Sequence, residues 1–234
     1  MKTLDVCLSP DLIHLHNLND KSVVIVDILR ATSCMVSGLA NGVDHIIPFA
    51  DLNECRKMKD QGYLIAGERG GEKVEGFDLG NSPFDYMNSQ VEGRKVATTT
   101  TNGTVAIERS KCAKNIIIGA FLNFTAVADF LRKREESVII FCAGWKGKVN
   151  LEDSLFAGAF VELLQDDFTN ESDSPLLLQA AYQSLKHDLV GFVKNSSHAK
   201  RLNRLNIHKD IAFCMRFDEY TEVTIYKDNR LTLF

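Results

Sequence analysis

The sequence predicts an α/β fold in which largely parallel strands alternate with helices. Its 234 residues suffice for one large domain or two small ones with a buried core. Hydrophobic residues make up 45% and charged residues 25%, as is ordinary for a globular protein. Over residues 1–160, short β-rich apolar runs alternate with helix-like stretches, which favours a sheet built from strand–helix–strand units.

The predicted strands are apolar runs bounded by polar or glycine-containing segments. In chain order they are Leu4–Leu8, Val23–Leu29, His45–Phe49, Tyr63–Ala66, Lys95–Thr98, Asn115–Ile118 and Val138–Cys142.

The predicted helices lie between these strands and carry end signals. Asp51 and Glu54 resemble a capping box at the start of one helix, and Gly62 follows its end. Asn123 precedes a helix to about Lys133, and Asn150 precedes another to about Leu164.

The C-terminal third has a different pattern. An acidic connector is predicted at 166–174. Helices are predicted at 175–194 and 198–205, and closing strands at 210–217 and 222–226. We expect a single domain over 1–234. Residues 23–42 and 138–160 both read as a strand, a polar turn and a helix of small residues, so two similar halves are an open option.

Charge and cysteine usage exclude several classes of protein. A formal net charge of −4 provides no general positive field for nucleic acid or an anionic membrane. No apolar run approaches the roughly 20 residues of a membrane span, and Asp5 interrupts any signal-peptide core. The six cysteines form no C-x-x-C pair, which is typical of reduced thiols in the cytoplasm.

Polar or glycine-rich clusters directly follow the apolar runs ending near residues 27, 66, 97, 119 and 142. Ligands of open α/β sheets bind at the carboxyl ends of strands, where helix N-termini also offer free N–H groups to anions. We therefore expect an anion site there.

The first of these clusters contains Asp27, Arg30, Thr32 and Ser33. Asp27 ends an apolar run, so its carboxylate needs a partner, a metal ion or a proton. Arg30 could bind a phosphate or sulfonate. Equally, Asp27 could pair with Arg30 while Thr32 caps the following helix.

The second cluster, residues 67–83, combines five glycines with acidic and basic side chains. Backbone freedom at Gly70 and Gly71 would let N–H groups converge on an anion. Its carboxylates suit Mg²⁺, which prefers oxygen ligands. A solvated surface loop is the other interpretation.

The third and fifth clusters add neutral donors and cations. Residues 98–104 read TTTTNGT, more hydroxyls than a helix cap needs. Residues 143–153 place Lys146 near a predicted helix start, where Asp153 could serve only as a capping partner.

Other phosphate-binding and dinucleotide-binding motifs are incomplete. A Walker A loop needs glycine where Cys142 stands, a cysteine phosphatase needs arginine where Lys148 stands, and a D-x-D motif needs an acid where Leu29 stands. No G-x-G-x-x-G follows the early strands.

Several segments together resemble the 2-phosphosulfolactate phosphatase family, which is associated with coenzyme M biosynthesis. They are VVIVDILRATS (23–33), AGERGGEKVEGFDLGNSP (66–83), TTTTNGT (98–104), GAFLN (119–123), CAGWKG (142–147), LEDSLFAGAF (151–160) and SSHAKRL (196–202). The resemblance implies a three-layer α/β/α fold and Mg²⁺-dependent hydrolysis of a phosphate ester on a three-carbon sulfonate.

The residue patterns and the resemblance agree on a set of candidate residues. The catalytic candidates are Asp27, Glu68 and Arg30. The Mg²⁺ ligand candidates are Asp27, Glu68, Asp78 and Asp153. The substrate-binding candidates are Thr32, Ser33, Arg69, Gly70, Gly71, Lys73, Asn81, Thr100, Thr101, Asn102, Gly103, Thr104 and Lys146. We assign Arg30 and the 100–104 turn to the phosphoryl end, and Arg69, Lys73 and Lys146 to the distal anionic end.

Two points of mechanism and class stay open. Attack by activated water is favoured over attack by Asp27 as nucleophile. A non-catalytic anion- or nucleotide-binding protein is the alternative function, although a pure anion binder gains nothing from carboxylates; a dehydrogenase ranks third. We expect a cytoplasmic protein whose partner is a small phosphate ester, with no nucleic acid or membrane partner, and a homodimer is one oligomeric option.

Overall fold

The computed structural model describes residues 2–203 and 208–234. Its strands are β1 Thr3–Cys7, β2 Ser22–Val26, β3 His45–Pro48, β4 Leu64–Arg69, β5 Glu72–Lys73, β6 Lys95–Thr99, β7 Asn115–Gly119, β8 Val138–Cys142, β9 Thr169–Asn170, β10 Thr224–Lys227 and β11 Arg230–Leu233. Its α-helices are α1 Ala31–Ala40, α2 Leu52–Lys57, α3 Gly103–Arg109, α4 Phe124–Arg132, α5 Leu151–Leu164, α6 Asp173–Leu185, α7 Leu189–Lys194, α8 Ser197–Asn203 and α9 His208–Cys214.

The strands form one mixed sheet in the order β5-β4-β6-β3-β11-β10-β7-β2-β8-β1-β9. Parallel pairing links β4, β6 and β3 in one block, and β7, β2, β8, β1 and β9 in a second block. The antiparallel hairpin β10–β11 joins the blocks and pairs antiparallel with each of them. The α/β class with a mixed sheet is thereby confirmed.

Two hydrophobic cores lie on opposite faces of the sheet, because successive strand residues point to opposite sides. On β2, Val24 and Val26 pack into the core that contains α4 and α5. Val23 and Ile25 pack into the core that contains α1. Both faces of β2 are therefore covered by helices, which explains its unbroken apolar sequence.

Helix α1 brings the two blocks together. Its residues Ala31–Leu39 are all buried, and it contacts β3 of one block, β7 of the other and the hairpin between them. Small residues allow this close packing: a Cβ on Gly38 would lie 2.9 Å from the Tyr86 ring. The segment after β6 lies against the segment after β2 at the start of α1. Gly103 is so close to Asp27 that a Cβ there would lie 3.0 Å from Asp27 Oδ2.

The C-terminal third differs most from the sequence prediction. The strand predicted at 210–217 is wrong, because His208–Cys214 form helix α9 and bury Ile211 and Phe213. The apolar spacing there is compatible with either structure, and packing beside α7 and α8 selects the helix.

Smaller differences concern boundaries and short strands. The helix predicted at 175–194 is divided into α6 and α7, and the acidic connector contains the edge strand β9. The end of the helix predicted at 198–205 falls outside the described residues. Strand β11 was not predicted, although it completes the hairpin between the blocks.

The two segments with similar patterns lie side by side. Strands β2 and β8 are parallel neighbours, and each leads into a buried helix, α1 and α5 respectively. A description as two similar halves stays a prediction. None of the helices in the described part of the chain is long and apolar enough to cross a bilayer.

Helices α5 and α6 cross so closely that Gly158 has no room for a side chain. A Cβ there would lie 2.1 Å from the carbonyl oxygen of Leu178, which only movement of a helix could relieve. We expect Gly158→Ala to lower stability by about 1–3 kcal/mol, as overpacking does, despite the better helix propensity of alanine. Thermal unfolding should show a fall in Tm of about 2–10 °C. Ala180→Val, at an exposed position of α6, is the control, and an equal effect of both variants would contradict the close-crossing explanation.

Candidate active site

A small cleft lies where the segments after several strands meet helix α8. Residues after β2, β4, β6 and β8 all contribute to it, and only the cluster after β7 is absent from its lining. The lining residues are Asp27, Leu29, Arg30, Glu68, Gly71, Asn81, Thr100, Asn102, Trp145, His198, Arg201 and Leu202.

The turn between β2 and α1 positions Asp27. The Thr32 hydroxyl accepts from the Asp27 N–H at 3.1 Å and donates to the Asp27 carbonyl at 2.9 Å. Ser33 donates to the Ile28 carbonyl at 2.8 Å. Both hydroxyls thus hold the turn, while the Asp27 carboxylate accepts from the Ala31 N–H at 3.4 Å and borders the cleft.

Asp153 fastens a second turn to the first. Its Oδ1 accepts from the Ile28 N–H and its Oδ2 from the Gly144 N–H, both at 3.0 Å. The residue is 1% exposed at the start of α5. Both carboxylate oxygens are therefore engaged with backbone groups of the two turns.

Glu68 joins the glycine-rich hairpin to the threonine-rich turn. One oxygen accepts from the Thr101 N–H and hydroxyl at 3.0 and 2.6 Å, and the other accepts from the Gly71 N–H at 2.7 Å. Gly70 and Gly71 make the hairpin turn with φ values of 67° and 93°. Thr100 and Thr104 bond each other across the start of α3.

Arg30 is buried and forms no salt bridge with Asp27. Its guanidinium pairs with Asp210 of α9 and donates to the Gly71 carbonyl at 2.9 Å. Within residues 2–203 and 208–234, its Nε has no hydrogen-bond partner. The arginine therefore connects α9 to the hairpin and keeps one donor unused beside the cleft.

Seven of the eighteen candidate residues line the cleft and eleven do not, among them the charged residues Arg69, Lys73, Asp78 and Lys146. Arg69 is exposed and donates to the Glu68 carbonyl and the Thr99 hydroxyl, while Lys73 is exposed and donates to the Asp78 carbonyl. Asp78 accepts from the Ile65 N–H at 3.0 Å and pairs with Lys59 at 2.9 Å. Lys146 is exposed, with its ammonium 4.7 Å from the Trp145 ring centre.

The candidate list from the sequence omitted several residues that line or support the cleft. Two of them, His198 and Arg201, lie three residues apart on one face of α8, and Leu202 completes that face. Others are Glu152, Trp145 and Asp210, of which Glu152 binds His198 and Asp210 binds Arg30. The segment 196–202 carried a signal, but the partner of each residue lies far away in sequence.

Arg201 lies over an aromatic ring at the edge of the cleft. Its guanidinium carbon is 3.7 Å from the centre of the Trp145 ring. Burial lowers the pKa of Arg201, while the charges of Glu152 and Glu68 raise it, which places both acids near the guanidinium. No carboxylate of the described residues forms a salt bridge with Arg201.

Acidic side chains accumulate beneath the cleft. Burial is the main cause that raises the pKa of Asp27; the neighbouring His198 lowers this pKa, and Glu68 and Glu152 raise it, to about 6 overall. Burial, Glu152 and Asp27 raise the pKa of Asp153 well above its usual value. Among the described residues, no three His, Cys, Asp or Glu side chains converge as a ready-made metal site.

Comparison with known sequences gives one consistent result. A family model described as 2-phosphosulpholactate phosphatase matches residues 7–229. A probable 2-phosphosulfolactate phosphatase of Thermotoga petrophila is 39% identical over 203 residues, covering 87% of this chain and 88% of that protein. Proteins with the same description from Caldicellulosiruptor saccharolyticus and Clostridium acetobutylicum are 40% and 34% identical, covering 86% and 97% of this chain and 87% and 99% of theirs.

The raised pKa of Asp27 predicts how stability depends on pH. The folded state holds this proton more tightly than the unfolded state, so the stabilisation is complete below about pH 4 and is lost as the pH rises through about 6. Asp27→Asn cannot ionise. In chelator, we expect it to exceed the wild type in unfolding free energy by up to about 3 kcal/mol above pH 7, and to match it near pH 4.

Denaturant unfolding near pH 4 and above pH 7 measures the difference in unfolding free energy between Asp27→Asn and wild type. Asp78→Asn is the control, because its effect on stability should have the opposite sign. Although burial raises the pKa of Asp78, the Ile65 N–H and Lys59 lower it overall, so Asp78→Asn should lose stability at neutral pH. A wild type that is as stable as Asp27→Asn above pH 7 would contradict the proposed charge accumulation.

Proposed function

The chain belongs to the 2-phosphosulfolactate phosphatase family, and from this premise we propose that it hydrolyses 2-phosphosulfolactate, or a similar small anionic phosphate ester, to the alcohol and phosphate. One observation carries the proposal: buried carboxylates and unused cationic donors border the same small cleft. Phosphoryl transfer depends mainly on positioning and on charge stabilisation, which this combination supplies.

The charge of the cleft supports a requirement for a hard cation. A phosphate ester that also bears a sulfonate and a carboxylate is strongly anionic, yet Asp27 and Glu68 both border the space it would occupy. Neither acid forms a salt bridge with a Lys or Arg of residues 2–203 and 208–234. Without a cation, the substrate and these acids would repel each other.

Asp27 and Glu68 are the proposed ligands of Mg²⁺. Magnesium keeps several waters and needs only one or two carboxylates besides substrate oxygens, so a complete protein ligand set is unnecessary. When bound, Mg²⁺ neutralises phosphoryl oxygens and lowers the pKa of bound water. Asp153 and Asp78 fit this role less well, because neither lines the cleft: Asp153 is 1% exposed, and Asp78 pairs with Lys59.

Arg30 and the 100–104 turn are proposed to hold the phosphoryl group. The Nε of Arg30 is a buried donor without a partner in the described residues, and Asp210 and Gly71 fix the plane of its guanidinium. Thr100 and Asn102 border the same space. We favour attack by water on the phosphorus, with attack by Asp27 as the alternative.

Arg201 is a better candidate than Arg69, Lys73 or Lys146 for the distal anionic group of the substrate. It borders the cleft, whereas the other three cations lie outside its lining. Its guanidinium lies over the Trp145 ring and forms no salt bridge with the described residues, so its N–H groups can bind a sulfonate or carboxylate.

The cellular setting completes the proposal. All six cysteines are free, with five of them buried, which suits a reducing cytoplasm. The relatives' names support sulfolactate as the product, and a place in coenzyme M biosynthesis is the corresponding expectation. The alternative, an anion-binding protein without catalysis, would bind the ester without releasing phosphate.

Phosphate release from 2-phosphosulfolactate tests the function and its cation requirement. We expect turnover with Mg²⁺, loss of turnover after exhaustive chelation, and recovery when Mg²⁺ is restored. Asp27→Asn and Glu68→Gln should each lower kcat by at least about 10²-fold, because a proposed ligand is lost while the shape of the side chain is kept.

Asp78→Asn is the matched control, since Asp78 is an acid of the same segment that lies outside the cleft. It should keep near-normal turnover. Full activity in chelator would exclude the cation, and binding of the ester by wild type without phosphate release would establish the non-catalytic alternative.

Arg201→Met tests the distal contact while preserving the apolar stem over Trp145. A charge-assisted contact contributes roughly 1.5–3 kcal/mol, so KM for 2-phosphosulfolactate should rise by about one to two orders of magnitude. KM for an ester without the sulfonate should change much less. Arg69→Met is the control. If Arg69→Met raises KM for the sulfonated substrate more than Arg201→Met does, the distal group binds at the exposed hairpin and not at Arg201.

A further inference from the structure

We propose that His198 donates the proton that the leaving oxygen of the phosphate ester takes up, and that Glu152 positions His198 for this role. The proposal rests on the proposed phosphatase function and adds to it a residue for the departing alcohol. Neither the residue patterns nor the family resemblance assigned a role to this pair.

His198 is placed as a group that acts in the cleft. It is 7% exposed, lies on the face of α8 that borders the cleft, and is followed by Arg201 and Leu202 on that face. Its Nδ1 lies 2.5 Å from Glu152 Oε1 and 3.3 Å from the Asn150 amide. One ring nitrogen is thus held from the side of α5.

Glu152 determines which ring nitrogen of His198 faces the cleft. An ionised carboxylate only accepts hydrogen bonds, so the Glu152 carboxylate places a hydrogen on Nδ1. Nε2 forms no hydrogen bond with the described residues and is absent from their buried, unpartnered atoms, so it is the nitrogen open to the cleft. A carboxylate that holds one imidazole nitrogen and thereby orients the other is a common arrangement for acid–base chemistry.

Several charged groups surround the ring. They are Glu152 from α5, Asp27 from the β2–α1 turn, Arg201 from α8 itself, Glu68 from the glycine-rich hairpin and Arg30 at the start of α1. Three of these five groups are acids, and of the five only Glu152 forms a hydrogen bond with the ring.

Hydrolysis of the phosphate ester requires a proton at the oxygen that leaves phosphorus. Attack forms a bond between water oxygen and phosphorus and breaks the bond between phosphorus and the ester oxygen, which keeps the bonding pair. The Nε2–H proton goes to that oxygen, giving the neutral alcohol, and the nitrogen keeps its lone pair. The attacking water releases a proton, and His198 regains one from solvent, so the cycle is balanced.

Hydrolysis of alkyl esters depends on proton donation to the leaving oxygen more than hydrolysis of aryl esters does, because an alkoxide is a far more basic leaving group than a phenolate. General acid catalysis typically contributes 10²–10⁴-fold where the leaving group is poor. A purely structural His198, which only ties α8 to α5, would affect all esters equally. Leaving-group dependence therefore separates the two roles.

The test compares wild type with His198→Asn on a panel of phosphate monoesters from alkyl to nitrophenyl. Asparagine keeps a donor near the position of Nδ1 for Glu152 and removes Nε2. We expect kcat to fall by about 10²–10⁴-fold for alkyl esters and by less than about ten-fold for the nitrophenyl ester. Equal losses across the panel, or no loss for alkyl esters, would overturn the proposal.

A second measurement uses the wild type alone and covers the case in which His198→Asn fails to fold. The kcat for alkyl esters should fall on the alkaline side of the pH profile, and this limb should be weak or absent for the nitrophenyl ester. Glu152→Gln should move that limb to lower pH while KM changes little. Identical profiles for both esters would overturn the proposal, whereas no phosphate release from any ester by wild type would instead contradict the phosphatase function itself.

Discussion

The cleft depends on the two hydrogen bonds that Asp153 accepts from separate turns. One comes from Ile28, just after β2, and the other from Gly144, just after β8. Strands β2 and β8 are parallel neighbours, so their following turns start close together, and the buried carboxylate fixes how they meet. Each bond satisfies an N–H group that would otherwise be costly to bury, and this cost makes the arrangement specific.

Single polar side chains also connect the other segments around the cleft. Glu68 connects the glycine-rich hairpin to the threonine-rich turn through N–H and hydroxyl donors, and Arg30 connects the hairpin to α9 through Gly71 and Asp210. Segments from distant parts of the chain are thus held by few side chains. Their acids remain in excess over nearby cations, and a bound cation would relieve this excess.

Close contacts between backbones make this arrangement possible. Gly103 lies against Ala31 and Asp27, where a Cβ would come within 2.7 Å of the alanine methyl group. Helix α1 is buried between the two blocks of the sheet, and its small residues allow strands of opposite direction to approach it. Glycine and alanine in these segments therefore serve packing as much as turn formation.

The sequence by itself determined the alternation of strands and helices, the class of sheet, and the segments from which the cleft is built. These properties are local: the apolar runs of β2 and β8 and the glycine and threonine clusters can be recognised without knowing their neighbours. Thr32 and Ser33 were predicted to bind substrate, and their hydroxyls bond backbone groups of Asp27 and Ile28, which a local pattern does not reveal.

Only the tertiary structure decided which charges meet. It paired Arg30 with Asp210 rather than with Asp27, placed Arg69 and Lys73 outside the cleft, and brought Arg201 to Trp145 and His198 to Glu152. It also made a helix of 208–214, where the apolar spacing fits either structure. The partners of these residues lie 46 to 180 positions away, as for Glu152 and Asp210. Ion pairing and burial depend on distance in space, which the local pattern of a sequence does not contain.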